Sequence, residues 1–234
     1  SIKHPIISVT GSSGAGTSTV KHTFQQIFRR ESVKAVTLEG DAFHRYNRKE
    51  MKKELEKRHA AGDATFSHFS FDANLLPELE DCFRNYSEQG TCRYRHYIHN
   101  SNEENLYGAK QGNFTKWKKF EVPSDLLFYE GLHGAVANEE INLARYADLK
   151  IGVVPVINLE WIQKIHRDTD SRGYSTEAVT DTILRRMHAY VHCICPQFTE
   201  TDINFQRVPV VDTSNPLVAR WIPTADESLV VIRF

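Results

Sequence analysis

The chain has 234 residues, 40% of them hydrophobic and 25% charged, with a formal net charge of -1 at pH 7. That is enough apolar material for one well-packed domain, and it leaves no overall field to recruit nucleic acid or an anionic membrane surface. No apolar run approaches the roughly 20 residues of a membrane span, and the start SIKHPIISVTG lacks the long apolar stretch of a secretory signal.

The serine start is expected to follow removal of an initiator methionine or a few residues. Cys82, Cys92, Cys193 and Cys195 are too few and too irregular for a disulfide framework, which points to a reducing cytoplasm.

In chain order, PIISVT is a short apolar run rich in β-branched residues and predicts a buried strand. The loop GSSGAGTST follows: Gly11, Ser12, Ser13, Gly14, Ala15, Gly16, Thr17, Ser18 and Thr19. Its glycines permit close backbone approach, so that successive amides and the next helix's positive end face phosphate oxygens. The G-x-x-x-x-G-K-[ST] formula is met at Gly11, Gly16 and Ser18 and broken at Thr17, where lysine is expected. Ser18 is the candidate magnesium ligand. An amphipathic helix from about Thr19 to Arg30 should turn Val20, Phe24, Ile27 and Phe28 inward.

VKAVTLEGD predicts a second strand that delivers Asp41 to the carboxyl edge of a sheet, where a carboxylate can accept a hydroxyl proton during phosphoryl transfer. His44, Arg45 and Arg48 follow closely, and cations beside such a base suit an anionic substrate. Two helices are expected next: a charged, solvated one ended by Gly62, then one from Asn74 to Tyr86. The segment from Thr91 to Phe120, with alternating aromatic and polar residues, predicts a peripheral hairpin or excursion. The buried strand LLFYEG then ends on Glu130, the acidic group expected to reach magnesium or its water shell; a simple cap of the next segment is the plainer reading.

KIGVVPV predicts a further strand, and a helix from about Asn158, a candidate N-cap, to Arg172. Lys164, Asp168 and Arg172 fall one turn apart on one face, with Arg167 beside them and Ile162, Ile165 and Thr169 inward. Such a stripe is ordinarily a solvated face. Here it starts at the ligand-binding edge, so Lys164 is the expected substitute for the absent loop lysine, and Arg167 and Arg172 are suited to fork onto a phosphate. In the helix predicted over Thr176 to Ile194, His188 and His192 lie one turn apart before Cys193 and Cys195. With no second ligand pair at a matching distance, we read a core-facing helix end with structural thiols rather than a zinc site. FQRVPVVD and SLVVIRF are late strands. The alternation predicts an α/β fold, a mainly parallel sheet covered by helices on both faces, with ligands beyond the carboxyl ends of its strands.

The stretches GSSGAGTST, EGDAFHR, FYEGLHG, NLEWIQKIHRD and NFQRVPVVDTSNP together resemble the bacterial phosphoribulokinases, of the phosphoribulokinase and uridine kinase family of P-loop kinases. The resemblance covers nearly the whole chain. It implies an adenylate-kinase-like fold, a single catalytic domain over residues 1–234, and transfer of the ATP γ-phosphate to the 1-hydroxyl of ribulose 5-phosphate in the Calvin cycle. It implies Asp41 as general base, Glu130 in the magnesium–ATP site, Lys164 as the transition-state cation and Asp168 as a further active-site carboxylate. His44, Arg48, Arg167 and Arg172 are implied to contact the sugar phosphate. Activation by NADH, inhibition by AMP and assembly into a homo-oligomer are implied as well, with Arg30 at a position tied to the effector response. The thioredoxin-controlled loop cysteine of the plant form is missing, and bacterial members continue beyond the equivalent of Phe234, so a C-terminal tail is expected to be absent. The rival readings are a uridine-kinase-like nucleoside kinase, a kinase of another sugar phosphate, and a non-catalytic nucleotide-binding regulator.

Overall fold

A computed structural model describes residues 4–120, 123–170 and 173–234. Its main sheet has the order β2 (Ala35–Glu39), β5 (Leu126–Gly131), β1 (Ile6–Thr10), β6 (Leu149–Val153), β7 (Ile203–Pro209) and β8 (Ser228–Arg233). All neighbours are parallel except β8, which returns antiparallel along β7. The expected mainly parallel sheet is present.

The strands are apolar on both sides because both faces are covered. On β5, Leu127 and Tyr129 pack toward the residues of α3 (Leu76–Gln89), Phe83 and Tyr86 among them. Phe128 points the other way, onto Phe24 and Phe28 of α1 (Thr17–Arg30), with ring centroids 5.2 and 5.6 Å away. Each such ring contributes roughly 1.5–3 kcal/mol by leaving water, so β5 is anchored from above and below. Ile27 departs from the expected inward face: it is 38% exposed, just beyond the edge of the stripe that Phe24 and Phe28 define.

The charged helix α2 (Arg48–Ala60) opens on a reciprocal Asn47–Glu50 capping box and buries only Met51, so it is a solvated element as expected. The excursion is more than a hairpin. Its ends pair as β3 (Arg93–Tyr94) and β4 (Lys118–Lys119), but a seven-residue helix, α4 (Ser101–Tyr107), sits between them.

Two further helices follow β6: α5 (Ile157–Asp170) and α6 (Thr176–Ala189), which ends in a wide π-type turn over Tyr190–Ile194 rather than continuing regularly to Ile194. Asn158 does not cap α5; it lies inside the helix and its amide donates to the Thr213 carbonyl at 2.9 Å. His188 and His192 are exposed, with rings 4.4 Å apart, and do not face the core; Ala189 and Ile194 do. Among the described residues no His, Cys, Asp and Glu cluster could hold a metal ion by itself. Cys82 of α3 and Cys92 are paired as a disulfide, a link that their number and spacing did not foretell. No helix among the described residues is long and apolar enough to cross a membrane.

Candidate active site

Strand register builds the site. Val9 of β1 lies opposite Glu130 of β5, and Glu130 lies opposite Glu39 of β2, so two carboxylates stand side by side at the edge where the glycine loop begins. Next along the chain, a single helical turn over Gly40–Phe43 presents Asp41. Gly40 allows this turn to close on the sheet: a β-carbon there would lie 2.8 Å from the Gly131 α-carbon. The result is an open cleft of about 590 Å³, lined by the loop, Lys21, Glu39, Asp41, Glu130, Gln163 and Arg167. That size suits a small-molecule site.

The loop runs into α1 through Gly16, with Ser18 exposed in the cleft and Thr17 buried. Gly14 has a φ of +115° and is pressed by α5: a β-carbon there would sit 3.2 Å from that of Lys164. Only glycine meets both demands easily. At the lysine position, the Thr17 hydroxyl donates instead to Glu130, whose pKa is raised by burial against the lowering effects of that bond and of Lys21.

Positive charge enters from two directions. Lys21, one turn along α1, lies 2.8 Å from Glu39 and 3.9 Å from Glu130. Its placement was not foreseen, although its position three residues after Ser18 puts it on the loop-facing side of the helix. From the opposite wall, Arg167 donates to the Ser13 hydroxyl at 3.1 Å and to Asp168 Oδ1 at 3.0 Å. Asp168 Oδ2 accepts from Lys164 Nζ at 2.6 Å, both side chains being 7% exposed.

The ammonium of the expected substitute lysine is thus taken by Asp168, and the guanidinium of Arg167 is hydrogen-bonded to the loop at Ser13. Burial and the neighbouring Arg186 lower Lys164 to about 8, with Asp168 opposing them, so it stays largely cationic at neutral pH. Arg172 lies outside the described residues.

Asp41 is held from two sides. His44 Nε2 lies 3.1 Å from Oδ1 and His99 Nε2 lies 3.6 Å from Oδ2. Desolvation disfavours the Asp41 charge, yet the charge and hydrogen bond of His44, joined by His99 and His68, together outweigh it and hold the carboxyl far below the usual range. His44 is correspondingly raised: desolvation opposes its charge, while Asp41 and a 2.8 Å contact to Asn74 favour it.

His99 comes from the excursion, which forms a two-stranded sheet of its own beside the main one and lends His99 and Glu103 to the cleft lining. Arg95 ties excursion and cleft together, donating to the Ala42 and His44 carbonyls at 2.7 Å each, with its guanidinium 3.6 Å from the Phe114 ring centroid. Arg45 turns away toward the Asp72 and Asn74 carbonyls, and Arg48 is exposed with a 3.5 Å contact to the His99 carbonyl; neither lines the cleft. Arg30 is at the far end of α1, about 20 Å from the loop by helical rise, paired with Glu31.

The family model "Phosphoribulokinase / Uridine kinase family" matches residues 6–214. The chain belongs to this family. Within it, the chain is 75% identical over 232 residues to Phosphoribulokinase 1 of Cereibacter sphaeroides, covering 99% of this chain and 80% of that relative. Phosphoribulokinase of Nitrobacter vulgaris is 66% identical over 231 residues, with the same shares. A solved phosphoribulokinase from Rhodobacter spheroides superposes with a TM-score of 0.89 at 72% identity, over 100% of this chain and 81% of that one. The phosphoribulokinase likeness therefore spans the loop, the excursion and α5 alike.

One test of the site concerns Lys21. Lys21→Met should weaken binding of a fluorescent nucleotide analogue about tenfold, roughly 1.4 kcal/mol, because it leaves Glu39 and Glu130 facing the phosphates without their counter-ion. Lys21→Arg should recover most of that loss in the same titration.

Proposed function

We propose that the chain transfers the γ-phosphoryl group of ATP to the 1-hydroxyl of D-ribulose 5-phosphate, giving ribulose 1,5-bisphosphate for the Calvin cycle. The observation that carries this reading is 66–75% identity to phosphoribulokinases over 99% of the chain. In our reading residues 1–234 form the catalytic domain.

The amides from Gly11 to Thr19 cradle the triphosphate. Magnesium fits the donor set: the Thr17 and Ser18 hydroxyls and the Glu130 and Glu39 carboxylates are all hard oxygens, few enough to leave the ion its waters and phosphate ligands. Ser18 and Glu130 would hold it, and when bound it offsets charge on the β- and γ-phosphates. Asp41 accepts the proton of the attacking hydroxyl, fixed in orientation by His44 and His99. Lys164 and Arg167, braced through Asp168, supply charge across the cleft from it. His44, Arg167 and Arg172 anchor the sugar phosphate, so that much of the rate arises from alignment, whereas Arg48, outside the cleft lining, takes no part in that anchor. NADH activation through the exposed Arg30, a homo-oligomeric state and a cytoplasmic setting complete the proposal.

A coupled ADP-release assay across ribulose 5-phosphate, other pentose phosphates and uridine, with and without NADH, tests it. Ribulose 5-phosphate should give the highest kcat/KM. Preference for uridine would favour the nucleoside-kinase reading, and no turnover with any acceptor would favour a regulator.

A further inference from the structure

Behind the phosphate loop stands a buried carboxyl for which the mechanism above has no use. Glu160, in the first turn of α5, is 6% exposed. One of its oxygens is hydrogen-bonded to the Ser12 hydroxyl, and the other accepts from the Tyr190 hydroxyl at 3.5 Å. Its backbone oxygen also backs onto Gly14, 3.3 Å from where a β-carbon would stand. One residue thus grips the loop from beneath at two points.

The charged and titratable groups around it come from three elements. Lys164 lies one turn along α5 but is committed to Asp168. Arg186 of α6 lines the same small cavity, and Tyr190 leads on to the Cys195 thiol. Burial pushes Glu160 up to about 7, opposed by the Ser12 and Tyr190 hydrogen bonds and the Lys164 charge.

We propose that Glu160 is a positioning residue for the nucleotide site: it holds the phosphate loop through Ser12 and binds a proton as the triphosphate enters. This rests on the reading of that loop as the ATP site. Charge on the incoming phosphates disfavours the ionised carboxyl across the loop. The proton comes from solvent and stays on the carboxyl, which then donates to Ser12 Oγ. The Ser12 O–H is thereby released toward the phosphate oxygens. Above neutral pH the loop has to receive its ligand over a fixed negative charge, and affinity falls.

The experiment is calorimetric titration of the full chain with a magnesium-saturated, non-hydrolysable ATP analogue, in buffers of different ionisation enthalpy. The unmodified chain should take up roughly 0.3–0.5 proton more per site near pH 7 than Glu160→Gln, a difference vanishing below about pH 5, where the carboxyl is protonated in both states. Nucleotide KM should climb between about pH 7 and 8.5 in the unmodified chain and climb distinctly less in Glu160→Gln, where Lys164, lowered to about 8, still titrates. Equal proton uptake in the two proteins would overturn the inference while leaving the ATP site in place. An unmodified chain without affinity for the analogue would overturn the site as well. Should Glu160→Gln fail to fold, Tyr190→Phe serves: losing a donor to the ionised form, it should move the climb in KM to higher pH, and an unmoved climb would count against the proposal.

Discussion

Asp41→Asn should lower turnover about 100- to 10,000-fold, the range for loss of a positioned general base, while nucleotide affinity changes little. The separation is expected because Asp41 stands on the single turn after β2, whereas the loop we propose for the phosphates follows β1. Steady-state kinetics give the first quantity and equilibrium nucleotide titration the second. An independent readout comes from His44. Its raised pKa depends chiefly on the Asp41 charge and hydrogen bond, against desolvation. In Asp41→Asn those favourable contributions go and desolvation remains, so the imidazole should lose its proton at lower pH, which an NMR titration would resolve. The sign for the unmodified chain follows: the charged Asp41–His44 pair persists through neutral pH and is lost as pH rises past the raised His44 value. An Asp41→Asn chain that kept near-normal turnover would remove Asp41 from the base role.

Lys164→Met is expected to cost about 100- to 1,000-fold in kcat, the scale of losing one preorganised charge donor at a reacting centre. KM for ribulose 5-phosphate should move much less. The variant also leaves Asp168 buried without one partner, a class of change that costs about 3–5 kcal/mol when nothing else compensates. Arg167 still occupies Asp168 Oδ1, so the measured loss of stability should fall below that range. Thermal denaturation of Lys164→Met beside Lys164→Met/Asp168→Asn separates the two effects. The double variant should recover stability without recovering turnover. A pure affinity defect with normal kcat would show that the charge acts on the acceptor alone.

The parts legible in the sequence were those with local signals. Continuous apolar runs marked β1, β5 and β6, and the glycine spacing marked the loop, because a buried strand and a phosphate cradle each impose composition over a few consecutive residues. The positions of Asp41 and Glu130 at the carboxyl edge of the sheet were legible because strand ends are. What stayed hidden depends on long-range packing. The short helix α4 buries no residue and so carries no apolar stripe, and nothing near His99 tells that it folds back onto Asp41. Lys21 reads as an ordinary helix-surface lysine until β2 and β5 bring Glu39 and Glu130 beside it. Lys164 and Asp168 share one side of α5 as expected, but only the packing of that helix against Gly14 decides that the Arg167 guanidinium reaches Ser13 while the Lys164 ammonium is taken by Asp168. Glu160 had one available signal, a carboxylate flanked by Leu159, Trp161 and Ile162, which is unusual for a solvated first turn.

The Arg95 bonds to Ala42 and His44 give the excursion a standing beyond that of a wall of the cleft. They fasten residues 93–119 to the turn bearing Asp41, so a substitution in either part bears on the aim of that carboxylate. Exchanging the two parts together between relatives with different acceptors should therefore transplant selectivity more cleanly than point changes around Asp41, since each imported base would arrive with the scaffold that aims it.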